Sequence, residues 1–123
     1  MSKRVLIVED DTELQELYKE SLADFNVIVC NDGIEGMNQF LEYDDWDLII
    51  MDIRLPRMTG EKCVEVIRHS GEEQPTPILV ISGFITERLH SKLMSFERLS
   101  ILEKPFKYEK FMASVENLIA GKE

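Results

Sequence analysis

Three apolar runs, Val5-Leu6-Ile7-Val8, Leu48-Ile49-Ile50-Met51 and Ile78-Leu79-Val80-Ile81, do most to limit what this chain can fold into. Each is short, rich in β-branched residues and bounded by acidic, Pro or Gly residues. None alternates apolar with polar, so a strand built from them has both faces covered. That is the situation of a parallel sheet packed between helices. Val27 to Cys30 and Ser100 to Leu102 are two weaker strand candidates.

The segments between the runs carry helical spacing. Leu14, Leu17, Tyr18 and Leu22 form one stripe, and Thr12 with Gln15 reads as a capping box at its start. Ile34, Met37, Phe40 and Leu41 form a second, and Cys63, Val64 and Ile67 after Thr59-Gly60 a third. Leu89, Leu93 and Met94 follow a cap at Thr86, and Phe111, Val115, Leu118 and Ile119 end near Gly121. Strand and helix therefore alternate five times, which calls for right-handed crossovers and a doubly wound α/β sheet. The 123 residues suit one domain over 1–123 with no room for a second, output domain. Gly71 to Pro77 reads as a helix-to-strand loop, and Gly121-Lys122-Glu123 as a frayed end.

Charge and composition exclude several functions. A net charge of -10 argues against a nucleic-acid footprint and against an anionic membrane surface. No apolar stretch nears the roughly 20 residues that span a bilayer. The basic start Lys3-Arg4 precedes an apolar run cut off at once by Glu9-Asp10-Asp11, which is no signal peptide. Cys30 and Cys63 lack metal-ligand spacing and read as reduced thiols, one near a strand and one on a helix, in the cytoplasm.

In open α/β sheets, ligands collect at the carboxyl ends of the strands. Here the first strand ends in Glu9-Asp10-Asp11, the third in Asp52, the fourth in Ser82-Gly83 and the fifth in Glu103-Lys104-Pro105-Phe106. Singly, each has an ordinary explanation as a helix cap, a turn or a solvated lysine. Jointly they bring carboxylates, a hydroxyl and an ammonium to one rim. Crowded carboxylates repel unless a cation sits between them, and an oxygen-only set with open positions suits Mg²⁺. A carboxylate beside that ion can attack phosphorus to form an aspartyl phosphate, with the lysine balancing the transferred charge. A nearby hydroxyl such as that of Ser82 can then hydrogen-bond a phosphoryl oxygen.

Val-Leu-Ile-Val-Glu9-Asp10-Asp11, Met51-Asp52-Ile53-Arg54-Leu55-Pro56-Arg57-Met58-Thr59-Gly60, Ser82-Gly83 and Lys104-Pro105-Phe106 resemble, in this order, the receiver domains of bacterial response regulators. Asn31-Asp32-Gly33 is similar to the family's turn into the second helix. The resemblance implies a flavodoxin-like (βα)5 sandwich with a five-stranded parallel sheet in the order 2-1-3-4-5. It implies Asp52 as phosphoacceptor, Asp10 and Asp52 as Mg²⁺ ligands, Glu9 holding the ion through water, and the Arg54 backbone carbonyl as a further ligand. Lys104 would pair with the phosphoryl group and Ser82 would be the switch hydroxyl. The Lys104-Pro105 peptide would be cis, and Asp11 would cap the first helix rather than bind metal. The implied donor is a sensor histidine kinase or phosphotransfer protein. The implied receiver of the signal is a downstream protein or a separate output domain, met by a monomer or a phosphorylation-dependent dimer. Partner choice would rest on the first helix, with exposed Glu13, Glu16, Lys19 and Glu20, and on the loop after the fifth strand.

Three positions depart from the family pattern. Ile101 stands where an aromatic usually lies three residues before the site lysine, and Phe96-Glu97-Arg98-Leu99 replaces a small Ala-Gly pair. Phe84 lies two residues after Ser82, where a bulky ring would shield a phosphoryl group from water and slow its loss. Rival functions fit less well. A Mg²⁺-dependent aspartate phosphatase needs a second acid two residues after the nucleophile, and that position is Arg54. A nucleotide-binding domain needs a Gly-rich loop after its first strand, where Glu9-Asp10-Asp11 would repel phosphates. A phosphate-independent docking module is the remaining rival, with Ile101 in its favour. The expectation is thus a signalling module and not a classical enzyme.

Overall fold

The computed structural model describes residues 2–121. The elements run β1 (Arg4–Val8), α1 (Thr12–Ser21), β2 (Asn26–Cys30), α2 (Gly33–Glu42), β3 (Leu48–Asp52), α3 (Gly60–Arg68), β4 (Ile78–Ser82), α4 (Glu87–Met94), β5 (Leu99–Glu103) and α5 (Tyr108–Ala120). The five strands form one parallel sheet in the order β2-β1-β3-β4-β5. Both the fold class and the strand order match the expectation.

The unalternated strands divide their side chains between two cores. Leu6, Val8, Ile49, Met51, Ile78 and Val80 face α2, α3 and α4, meeting Met37, Phe40, Cys63, Val64, Ile67, Leu89 and Leu93. Their neighbours Val5, Ile7, Leu48, Ile50, Leu79 and Ile81 face α1 and α5, meeting Tyr18, Leu22, Phe111, Val115 and Leu118. Full burial of each such side chain stabilises the fold by roughly 1.5–3 kcal/mol, which is why the apolar runs tolerate no polar interruption. Both cysteines are free and buried, Cys30 closing β2 and Cys63 inside α3. Among the described residues no helix is long and apolar enough to cross a membrane.

Several local expectations change. The capping box of Thr12 with Gln15 is not formed. Asp11 is the N-cap of α1, accepting hydrogen bonds from the Glu13 and Leu14 N–H groups (2.9 and 3.3 Å). A carboxylate there satisfies two orphan donors and faces the positive end of the helix, so it outcompetes Thr12 one residue later. Asp32, Thr59 and Thr86 cap α2, α3 and α4 in the same way. Gly121, expected to fray, instead closes α5 with φ 76. Lys122 and Glu123 lie outside the described residues. In the loop before β5, Arg98 takes a left-handed φ of 55, the conformation a glycine adopts without cost. The stripes are also wider than the faces they bury, since Leu17, Leu41 and Met94 remain exposed.

Candidate active site

The rim at the carboxyl end of the sheet gathers Glu9, Asp10, Asp52 and Lys104. One carboxylate oxygen from each of Glu9, Asp10 and Asp52 lies within 4.8 Å of the others. Glu9 and Asp52 are buried, at 1% and 6% exposure, whereas Asp10 opens to solvent. Lys104 Nζ stands 3.3 Å from Asp52 Oδ2 and 3.7 Å from Glu9 Oε1. Burial and then the charge on Asp52 push the Glu9 carboxyl up to about 7, against the opposing pull of the Asp11 N–H and Lys104. The crowding expected between carboxylates is therefore present. An all-oxygen donor set, open on the Asp10 side, fits a hard divalent ion of the Mg²⁺ type.

Backbone groups hold these side chains in place. The Arg54 N–H donates to Asp52 Oδ1 at 3.3 Å, folding the β3–α3 loop over the carboxylate. The Gly60 N–H donates to the Ile53 carbonyl at 2.9 Å, tying the start of α3 to the same loop. On the opposite flank, the Lys104 N–H donates to the Ser82 carbonyl at 2.8 Å, which fixes the end of β5 to β4. The Lys104–Pro105 peptide is cis, as the resemblance implies. Phe106 then stacks on Phe111 (5.7 Å between centroids), and Phe111 on Tyr18 (5.3 Å), anchoring the lysine loop to α5 and α1.

Ser82 is fully buried at the end of β4, but its hydroxyl is turned to its own loop. Its Oγ donates to the Phe84 carbonyl at 3.0 Å and accepts from the Phe84 N–H at 3.3 Å. The Phe84 ring itself is 65% exposed. Ile101, paired with Val80 in the sheet, is half-buried and packs against the core beneath α2, α3 and α4.

Sequence reasoning missed a belt of residues behind the carboxylates. Gln15 is buried, and its amide Nε2 donates to the Glu9 carbonyl (2.6 Å) and to Asn31 Oδ1 (2.7 Å). The Arg57 guanidinium donates to Asp32 Oδ2 at 3.2 Å, joining the β3–α3 loop to the β2–α2 turn. The Glu35 N–H first, and then Arg57, hold the Asp32 carboxyl below its ordinary range. The one available signal was the polar Gln15 between Leu14 and the Leu17-Tyr18 pair, on a helix otherwise read for its apolar stripe.

An acidic pocket at the carboxyl rim of a β2-β1-β3-β4-β5 sheet, with a lysine delivered by the last strand, defines a signalling domain of the receiver class. Comparison with known proteins agrees. The sensor histidine kinase TmoS of Ectopseudomonas mendocina is 35% identical over 97% of this chain and 12% of its own length. The signal receiver domain of a Luxo repressor protein from Vibrio parahaemolyticus superposes with a TM-score of 0.86 at 30% identity, covering 98% of this chain and 92% of that one. The receiver domain of the sensor histidine kinase PA1611 from Pseudomonas aeruginosa, 24% identical, shares the fold at a TM-score of 0.83 over 98% of this chain and 99% of that one. It carries a magnesium ion in its active site cleft. The response regulator receiver domain pattern matches residues 5–116, and the chain belongs to that family. It spans about half the length of the regulators it matches.

Proposed function

We propose that this receiver domain accepts a phosphoryl group on Asp52 in a Mg²⁺-dependent reaction and thereby changes its surface for a downstream partner. The observation that carries the reading is the convergence of Glu9, Asp10 and Asp52 within 4.8 Å, with Lys104 3.3 Å from Asp52. Asp10 and Asp52 would hold the ion directly, Glu9 through water, and the Arg54 carbonyl would complete the protein's share of ligands. The bound ion supplies charge neutralisation at the transferring phosphoryl group. Asp52 Oδ forms the new bond to phosphorus while the donor's leaving group keeps the electrons of the bond that breaks. Lys104, already paired with Asp52, stays within reach of the incoming oxygens. Ser82 gives up its hydrogen bond to the Phe84 carbonyl and donates to the phosphoryl group instead, which moves the β4–α4 loop. Only this difference in contacts between the two states can shift the population.

The donor in this reading is a histidine kinase or phosphotransfer protein that meets the exposed charges of α1. The reaction is self-catalysed phosphorylation and dephosphorylation, not turnover of a free substrate. A cytoplasmic location belongs to the same reading and is supported by two free cysteines. The test is intact-mass spectrometry after incubation with acetyl phosphate and Mg²⁺, beside Asp52→Asn. Gain of one phosphoryl group that needs both Mg²⁺ and Asp52 is the expected result. An intact fold that gains none, or an adduct that survives Asp52→Asn, refutes the reading.

A further inference from the structure

Each peptide flanking Glu9 has a partner of a different kind. The Glu9 N–H donates to the Cys30 carbonyl at 3.0 Å, an ordinary continuation of the sheet. The Glu9 carbonyl, which belongs to the Glu9–Asp10 peptide, is reached by a side chain: Gln15 Nε2, 2.6 Å away. That peptide joins two of the three clustered carboxylates, so its orientation sets where both side chains leave the backbone. The orientation of the Gln15 amide is unambiguous, because a backbone carbonyl only accepts and the NH₂ end must face it. The second amide hydrogen goes to Asn31 Oδ1 at 2.7 Å, so Gln15 is itself held from the β2–α2 turn. Asn31 is held in turn by its own backbone N–H, which donates to Glu35 Oε1 at 3.2 Å. Gln15 sits on α1 and is almost fully buried, at 9% exposure, in a helix whose N-terminus is fixed by Asp11.

We propose that Gln15 is the positioning residue of the metal site, its amide fixing the Glu9–Asp10 peptide so that both carboxylates face Asp52. The inference rests on the Mg²⁺ reading of the site. Groups that orient metal ligands from behind typically govern affinity by 10–100-fold, through the fraction of time the ligands spend in the binding arrangement. Gln15 acts on geometry alone, since it carries no charge and lies on the backbone side of the loop. Its loss therefore weakens the grip on the ion without altering the chemistry once the ion is bound.

The experiment is titration calorimetry with Mg²⁺ on the whole chain, for the wild type, Gln15→Met, Asn31→Ala and the double variant. Methionine keeps the volume of the buried side chain and removes both donors. The expected result is a Kd about tenfold weaker for Gln15→Met and a smaller loss for Asn31→Ala. The double variant should match Gln15→Met alone, because Asn31 acts only through Gln15. At saturating Mg²⁺, the rate of phosphorylation by acetyl phosphate returns to near the wild-type value. Leu22→Val controls for general weakening of α1: it lowers the melting temperature and leaves the Kd unchanged. Wild-type affinity in Gln15→Met, or a loss that Leu22→Val reproduces, overturns the inference while the Mg²⁺ reading stands. If Gln15→Met fails to fold, Asn31→Ala decides alone, and an unchanged Kd there overturns it. A wild type that binds no Mg²⁺ overturns the site reading itself.

Discussion

Replacing Gly60 by alanine is the sharpest available perturbation of the rim, because the obstruction is backbone and cannot rotate away. A Cβ built at Gly60 falls on the Asp52 carbonyl oxygen, 2.7 Å from Ile53 Cα and 2.9 Å from the Asp52 carbonyl carbon. Ordinary contacts between such atoms begin near 3.5 Å, so α3 and the end of β3 must part by about an ångström. Over-packing of this kind costs about 1–3 kcal/mol, with the upper end applying where the neighbours are rigid. Alanine returns at most about 1 kcal/mol of helix propensity, and less at the first turn. The net expectation is a loss of about 2 kcal/mol, which for a domain of this size lowers the melting temperature by roughly 8 °C.

The displaced atoms are also those that carry Asp52 and the Arg54 N–H hooked onto it at 3.3 Å. Misplacing a reacting group by about an ångström can cost on the order of a hundredfold in rate, so phosphorylation by acetyl phosphate should slow at least tenfold. Gly83→Ala is the matched control, since nothing lies within 4 Å of its added Cβ. Urea denaturation and phosphorylation kinetics on both variants give the answer. If Gly60→Ala stays within about 0.5 kcal/mol of the wild type and is phosphorylated normally, the close approach of α3 to β3 does not constrain the site.

Other perturbations separate the roles of the remaining groups. In a chelator, Asp52→Asn should lower the Glu9 carboxyl from its raised value of about 7, because the like charge beside it is gone, a change read by NMR titration; added Mg²⁺ should stabilise the wild type more than the variant, and an unmoved Glu9 would refute the coupling. Phe84→Ala should speed loss of the phosphoryl label several-fold, the exposed ring being free to cover the group; an unchanged half-life would remove Phe84 from that role. The cluster joining Glu61 and Glu65 on α3 to Lys92 on α4 should give a two-sided pH dependence. Lys92 holds both carboxyls below 4.5, so their contribution is present above 4.5 and disappears as pH falls through the lowered folded values. The carboxylates raise Lys92 above 10.5, so its share is present below 10.5 and is lost as pH rises through the raised value. The stability gap between wild type and Lys92→Met, followed by urea melts across pH, should close at both extremes; a gap constant with pH would show that the charges contribute nothing.

The sequence revealed the fold because its strands are buried on both faces and therefore unalternated, and because polar residues stop each run abruptly. The same stops marked the rim. Side chains that reach backward were not legible, because nothing in their spacing distinguishes them from surface residues. Gln15 illustrates the difficulty. At the fourth helical position it satisfies the spacing of a capping box, yet Asp11 already caps the helix and Gln15 turns inward to the Glu9 carbonyl. Arg57 likewise reads as a loop cation, and only its left-handed φ of 70 and its reach to Asp32 reveal a clasp between loops. Arg98 shows the reverse case, a residue type that argues against a left-handed turn occupying one, with its carbonyl accepting from the Ile78 N–H at 2.9 Å.

Strand register explains why the rim residues have no freedom to avoid one another. Val8 lies opposite both Cys30 and Met51, Asp52 opposite Ile81, and Ser82 opposite Glu103. The strands thus end at nearly the same level, and whatever follows each apolar run must share one small space. Among the described residues, three carboxylates meet there, and the ammonium of Lys104 faces two of them, Glu9 and Asp52. Glu9 and Asp52 are buried at the ends of neighbouring strands, so parting these two would disturb the β1–β3 ladder, whereas exposed Asp10 has solvent to turn into. In the proposed reading, a divalent cation would cancel the excess, and a phosphoryl group on Asp52 would restore negative charge at the same point. Phosphorylation at Asp52 would therefore act on a charge balance that the fold itself has left unsettled, and the groups with room to respond would be the loops after β3 and β4 rather than the strands.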